Sequence, residues 1–317
     1  MRVLVTGGAG FVGKHVLEWL LCHGHDVLVI DDFSTGRPSH VPPGVPVKVA
    51  DLTALGASDL IKVLDQFDAT GVVHLAAMHF IPDCMARPER TFDINTRVTH
   101  TLIEALASHP VKRFVLASTM DVYSTDDRIH TECETPAPAN VYGLSKLLSE
   151  EILASGIRRG VCRSAVALRL ANVYGPDETN PHLIPDILDR IARPVEAELV
   201  TGYLGATRDF VFVEDVAAAF GRAVTVAPAG LHRLNVGTGR GIPVRLTVQI
   251  LQDLLGDLRP LREEAARFRR FDRASLTPDV QAIQKLLGWR ATRQIETGLA
   301  ETISTLQKRE KEARRAA

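Results

Sequence analysis

Cysteine is scarce in this 317-residue chain, whose four residues Cys22, Cys84, Cys133 and Cys162 lie far apart. They lack the paired spacing that holds zinc, and so sparse a set does not suggest a disulfide framework. An excess of one charge is equally lacking, since 37 Lys and Arg stand against 38 Asp and Glu. That balance argues against nucleic-acid or anionic-membrane partners held through a broad basic field, and leaves room only for a local anion site. No uninterrupted apolar run reaches the roughly 18 residues that a membrane helix needs. Met1 leads at once into a strand-like run, without the basic stretch, apolar segment and small-residue cleavage site of a secretory signal. A cytoplasmic protein with reduced thiols is therefore expected.

Apolar material is plentiful at 45% of residues, enough for the core of one large α/β domain or two smaller ones. Arg2 to Thr6 is a short β-branched run, followed by glycines and then by Val16, Leu17, Leu20 and Leu21 at helical spacing. Further strand-like runs fall at His25 to Ile30, Val45 to Val49, Gly71 to Leu75, Arg113 to Ser118 and Ala165 to Leu170. Helical stretches between them include Arg90 to Ser108 and Tyr142 to Arg158. This alternation predicts an α/β fold, a Rossmann-type, doubly wound parallel sheet covered on both faces. After Gly175 the Gly-Pro, Asn-Pro, Arg-Pro and Ala-Pro pairs punctuate shorter elements, as in a smaller mixed α/β lobe. The charged tail from Lys308 to Ala317 reads as a solvated helix end.

Thr6-Gly7-Gly8-Ala9-Gly10-Phe11-Val12-Gly13 places Gly7, Gly10 and Gly13 three apart between a strand and a helix. Glycines there permit a tight turn and a close approach to a pyrophosphate seated on the helix N-terminus. A purely structural turn uses the same residues, so context matters. Asp31 ends the second strand, where a carboxylate accepts the adenosine ribose hydroxyls and repels a 2′-phosphate, which favours NAD over NADP. Tyr142 and Lys146 lie four apart on one helical face. A nearby ammonium and a positively charged nicotinamide favour a phenolate, which makes Tyr142 a candidate acid/base; in an ordinary helix the same pair is only surface. Cys22-His23-Gly24-His25 looks like half a metal site but has no second ligand pair, so a turn and no metal are expected.

Together with Asp31 to Gly36, Asp51-Leu52, His74 to Ala77, Ser118 to Tyr123, Leu168 to Pro176, Arg208-Asp209-Phe210, Asn235 to Gly239 and Leu287-Gly288-Trp289, these segments resemble the extended short-chain dehydrogenase/reductase family. Within it, the nucleotide-sugar epimerases and dehydratases are the closest in pattern, UDP-glucose/galactose 4-epimerases among them. The resemblance implies an NAD-binding domain over 1–175, with segments of about 208–240 returning to it, and a nucleotide-sugar-binding lobe over 176–317. It implies a cofactor site of Gly7, Gly10, Phe11, Val12, Gly13, Asp31, Asp32, Ser34, Thr35, Gly36, Leu52, Leu75 and Ser118. Asp51 would contact the adenine, Ala76 and Ala77 would line the cofactor, and Asn95 would support it. Thr119 would bond the reacting hydroxyl, Tyr142 would be the acid/base, and Lys146 would bind the nicotinamide ribose and tune Tyr142.

Asn172 and Arg208 would hold a diphosphate, with Arg269 a further candidate; a guanidinium suits paired phosphate oxygens. A structural pair of Arg208 with Asp209 or Glu214 is the other reading. A homodimer built on the Arg90 to Ser108 and Tyr142 to Arg158 helices is also implied.

The departures from the family pattern narrow the activity. Related 4,6-dehydratases carry Asp then Glu after the Thr, whereas this chain has Met120 and Asp121. Met120 faces the substrate without a proton to give, and Asp121 is either an active-site acid or a strand-end residue. His79 and Cys84 fall where the sugar pocket is expected, His79 either facing substrate or satisfied structurally; Cys84 has nothing beside it to activate a nucleophile. Tyr123-Ser124 replaces the usual Tyr-Gly. The leading expectation is an NAD-dependent 4-epimerase acting through a transient 4-keto sugar. A dehydratase or decarboxylase using Asp121 is second, and a non-catalytic NAD-binding scaffold third.

Overall fold

The computed structural model describes residues 1–178, 180–193, 197–267 and 273–316. Arg269 lies outside them. A seven-stranded parallel sheet runs in the order Gly230–Val236, Cys162–Leu170, Val111–Thr119, Gly71–His74, Arg2–Thr6, Asp26–Asp31, Val47–Val49. Its central strands are apolar at nearly every position because helices cover both faces, so alternation disappears from them. The order reverses between Arg2–Thr6 and Gly71–His74, which opens a crevice at the carboxyl ends of the strands.

On one face the Phe11–Cys22 and Val213–Val226 helices bury Val16, Leu17, Leu20 and Phe220, with Ile283, Leu287 and Trp289 from late in the chain. The other face buries Leu60, Leu64, Leu102, Leu106 and Leu153. Each such side chain contributes about 2 kcal/mol of transfer free energy. The expected Arg90 to Ser108 helix is a Pro88–Phe92 turn, a wide turn over Asp93–Arg97 and a Val98–Leu106 helix. Wide turns of this kind frequently re-aim a side chain at a functional site, and this one carries Asn95.

A third core, with Ile184, Ile187, Phe210, Val248, Leu251, Leu299 and Ile303, holds the second lobe. Its strands are short. Thr207–Arg208 lies between Ile242–Pro243 and Ser275–Pro278, and Phe210–Phe212 pairs with Asn172–Tyr174. The tail differs from expectation: the last helix runs over Ile295–Ala316, and Arg309 reaches back to the buried carboxylate of Asp177, which also accepts Lys14 Nζ at 2.7 Å. A buried carboxylate requires such partners. Among the described residues no helix is long and apolar enough to cross a membrane.

Cys22-His23-Gly24-His25 ends the first helix and enters the second strand, with the His23 ring stacked on Trp19 and bonded to its carbonyl. No group of ligands that could hold a metal occurs among the described residues.

Candidate active site

The crevice is a cleft of about 1080 Å³ between the sheet and the second lobe. Gly7, Gly10, Phe11, Val12 and Gly13 line one end of it. Gly7 has φ +71°, and a Cβ there would fall 2.5 Å from the backbone nitrogen of Ala76, so both conformation and space require glycine. The following helix starts at Phe11 without a side-chain cap, which leaves its first N–H groups for an anion. Asp31 holds the turn itself: Oδ2 accepts the Ala9 N–H at 2.9 Å and Oδ1 that of Phe33 at 2.8 Å. Its burial nevertheless raises its pKa. The remaining lone pairs of the carboxylate suit ribose hydroxyls.

Asp32, Ser34, Thr35, Gly36, Leu52, Leu75, Ala76 and Ala77 continue the wall. Asp51 lies among them, its carboxylate kept below the ordinary range by the Thr53 hydroxyl at 2.7 Å and assisted by Arg90. Together these features fit a dinucleotide.

The reacting end is built by the Val111–Thr119 strand and the Val141–Arg158 helix. Asn140 caps that helix, its Oδ1 accepting the Gly143 N–H at 2.8 Å. Gly143 lets the helix press on the turn after the strand, since a Cβ there would sit 2.1 Å from the Asp121 carbonyl. Thr119, Tyr142 and Lys146 all line the cleft as a result.

Burial raises the Tyr142 phenol pKa, the charge of Asp121 adds to this, and a hydrogen bond from Thr119 opposes it. The expected lowering by Lys146 is not produced by the protein's own groups; burial outweighs what they supply. Lys146 is itself pushed down to about 8 by burial, with the Cys84 thiol and Glu150 acting in the opposite sense.

Asp121 is tethered on three sides. Its Oδ1 receives Asn140 Nδ2 at 3.2 Å and Arg273 Nη2 at 3.3 Å, and its Oδ2 faces the Thr119 hydroxyl at 3.5 Å. Arg273 also donates to the Tyr123 and Ser124 carbonyls at 3.1 Å each, which ties the Tyr123-Ser124 turn in place.

Other expected residues turn their polar groups away from the cleft or stand off it. Met120 packs with Val122, Tyr123 and Leu276, because the turn after the strand points it into the core. Cys84 is fully buried, its thiol donating to the Met78 carbonyl at 3.4 Å. Asn95 lies behind the wall, joining the Met78 backbone to Ser145 Oγ at 2.9 Å. Ser118 lines the cleft, but its hydroxyl donates to Glu150 Oε1 at 2.6 Å.

At the far end are Asn172, Arg208 and His79. The Asp209 carboxylate accepts backbone N–H groups of Thr238, Gly239 and Arg240, and Glu214 takes Arg293, so neither holds Arg208. His79 faces the cleft with both nitrogens engaged, one by the Ala77 backbone and Nε2 by Asn180 at 2.9 Å.

Two supporting groups escaped the sequence reading. Glu150 and Arg169 form a buried two-pronged pair at 2.9 and 2.7 Å beneath the Tyr-Lys helix. Glu150 was within reach, four residues beyond Lys146 on the same face. Arg273 was not, arriving from an irregular segment about 150 residues from its partner.

The family model for the NAD dependent epimerase/dehydratase family matches residues 3–237, and the chain belongs to that family. It is 32% identical to the UDP-glucose 4-epimerase of Corynebacterium glutamicum over 305 residues, 91% of this chain and 90% of that one. Among solved structures it resembles a UDP-glucose 4-epimerase of Thermotoga maritima bound to UDP-glucose, with a TM-score of 0.89 and 27% identity over 98% of this chain and all of the other. MoeE5 in complex with UDP-glucose and NAD gives a TM-score of 0.87 at 32% identity, again over 98% and 100% of the two chains.

Proposed function

We propose that the chain is an NAD-dependent 4-epimerase of nucleotide-diphosphate sugars, with UDP-hexoses as the substrate class. The observation that carries this reading is the arrangement at the mouth of the sheet: Thr119 against Tyr142, Lys146 one turn further on and, among the described residues, no free pair of acids beside them. NAD, held by the glycine turn and Asp31, would supply a reversible hydride acceptor for C4 of the sugar. Tyr142 removes the 4-hydroxyl proton and gives it back, Thr119 orients that hydroxyl, and Lys146 holds the nicotinamide ribose and supplies positive charge. The protein's own surroundings raise the Tyr142 phenol, and bound NAD would supply the positive charge that favours its phenolate.

Arg208 and Asn172 anchor the diphosphate while the 4-keto sugar turns. Asp31 at the end of its strand favours NAD over NADP.

Elimination is the weaker reading. It needs an acid where Met120 lies in the core, and a mobile carboxyl where Asp121 is held by Arg273 and Asn140. A scaffold that only bound NAD would have no use for Thr119 and Tyr142. Leu144 and Leu148, exposed on one face of the Val141–Arg158 helix, support a homodimer through that helix. Four free cysteines, two of them exposed, support a reducing compartment such as the cytoplasm.

The test is incubation of the purified protein with UDP-galactose and NAD. UDP-glucose should form with no net NADH absorbance; accumulation of NADH, or no product from any UDP-hexose, overturns the reading.

A further inference from the structure

Asp177 follows the Gly175-Pro176 turn in left-handed backbone, with φ +75°, and its side chain is 1% exposed. A carboxylate so deep and in that conformation persists only where its surroundings hold it. Side chains from three separate parts of the chain converge on it. Lys14 Nζ donates to Oδ2 at 2.7 Å, and His40 Nε2 lies 3.8 Å from Oδ1. Arg309 reaches both oxygens, with Nη2 2.9 Å from Oδ2 and Nη1 on Oδ1.

Two of these partners belong to the cofactor turn. Lys14 lies one turn into the helix that begins at Phe11, and its own N–H bonds the Gly10 carbonyl at 3.0 Å. His40 Nδ1 donates to the Ala9 carbonyl at 2.9 Å, and Ala9 is the residue whose N–H Asp31 accepts. On the other side of Asp177 the chain continues into Glu178, Asn180 and His182, which line the cleft. Asp177 therefore stands behind the cleft wall, between the turn that receives a dinucleotide and the loop opposite His79.

Arg309 comes from a part of the last helix that packing does not require. Ile303 is its last buried residue among those described, and Leu306 beyond it is exposed. Arg309 lies a further six residues on, about 9 Å along the axis. There its planar fork meets the two oxygens of one carboxylate, a fit that a point charge does not reproduce.

We propose that Arg309 is a positioning residue for the bound cofactor: through Asp177 it fixes the first turn of the Phe11–Cys22 helix and the adjoining loop, so that the last helix clasps the NAD site from behind. The proposal rests on the glycine turn as the NAD site and on no particular sugar chemistry.

The experiment uses full-length protein loaded with labelled NAD and chased with an excess of unlabelled NAD, without sugar. Arg309→Gln should release NAD about tenfold faster, the effect of one charge-assisted hydrogen bond expressed in the off-rate. Backbone hydrogen exchange should quicken in peptides covering 9–14 and 177–182 and stay as in wild type in the central strands, which a general loss of stability would not produce. Arg309→Lys, which keeps the charge and loses the fork, should fall between the two. Asp177→Asn, whose side chain still tolerates left-handed backbone, should release NAD at least as fast as Arg309→Gln, and the double variant no faster than Asp177→Asn alone. Arg293→Gln breaks the ion pairs of the same helix region with Glu214 and Glu301 and should leave release unchanged. Release from Arg309→Gln within about twofold of wild type, additive effects in the double variant, or an equal acceleration in Arg293→Gln overturns the proposal. Wild-type protein that shows these NAD effects but epimerises no sugar would fail the proposed activity alone and leave the clasp standing.

Discussion

Arg273 Nη2 lies 3.3 Å from Asp121 Oδ1, and this contact separates two chemistries that begin alike. Both oxidise C4 of a sugar; only elimination then requires a carboxyl group able to take a proton from the intermediate. Asp121 is instead held in place by the Arg273 guanidinium and by Asn140. Asp121→Asn should therefore keep C4 inversion within about tenfold of wild type, whereas loss of a catalytic acid/base costs on the order of 10² to 10⁴. A product one water lighter than substrate from the wild type, absent from the variant, would sink this assignment.

Tyr142→Phe removes the proton acceptor and leaves the ring. We expect epimerisation to fall by about 10³ or more while NAD remains bound, read as turnover and as cofactor retained after gel filtration. A variant within tenfold of wild type would mean that another group moves the proton.

Glu150 supports the site from below, holding Arg169 with two bonds and accepting Ser118 and Arg233 as well. Removing one partner of a buried pair leaves the other charge uncompensated, so Glu150→Ala should lower unfolding free energy by about 3 to 5 kcal/mol in urea titrations. A loss below 1 kcal/mol would show that Arg169 finds water or another acceptor.

Acid should destabilise the fold through His74. Its Nδ1 contacts Thr6 Oγ1 at 2.6 Å and its Nε2 contacts Thr99 Oγ1 at 3.1 Å, while the Thr99 hydroxyl donates to the Asn95 carbonyl. Nε2 therefore carries the proton and Nδ1 accepts. Burial and then the charge of Lys146 push the imidazole down to about 3 from an ordinary 6.5. The unfolded chain binds a proton below pH 6.5 that the folded protein refuses. The stability from neutral His74 is thus full above that pH and is lost as pH falls toward 3, by up to about 1.4 kcal/mol per unit. His74→Gln should flatten the dependence of the urea midpoint between pH 6.5 and 5; an unchanged slope would assign the acid sensitivity elsewhere.

The sheet and the cofactor turn were legible because they follow from local rules: apolar runs at strand length, glycine where φ is positive and space is short, and Asp31 ending a strand. The Tyr142 and Lys146 pair was legible from helical spacing. Residues that tertiary context reassigns were not. Met120 and Cys84 sit in segments that belong to the pocket by sequence, yet one turn points Met120 into the core and a short helix buries Cys84 against Met78. The tail looked solvated because its charge is high, and only the fold brings Arg309 to Asp177. Arg273 comes from an irregular segment of the second lobe, where periodicity says nothing about contacts.

The most direct test follows a label at the reacting carbon. UDP-glucose carrying deuterium at C4 is incubated with the protein and NAD, and the product is read by mass spectrometry and proton NMR. Transient oxidation with return of the same hydride predicts UDP-galactose of unchanged mass, with the deuterium still at C4 and the centre inverted. Loss of one water, or a product whose C4 deuterium has exchanged with solvent, would contradict epimerisation by this route.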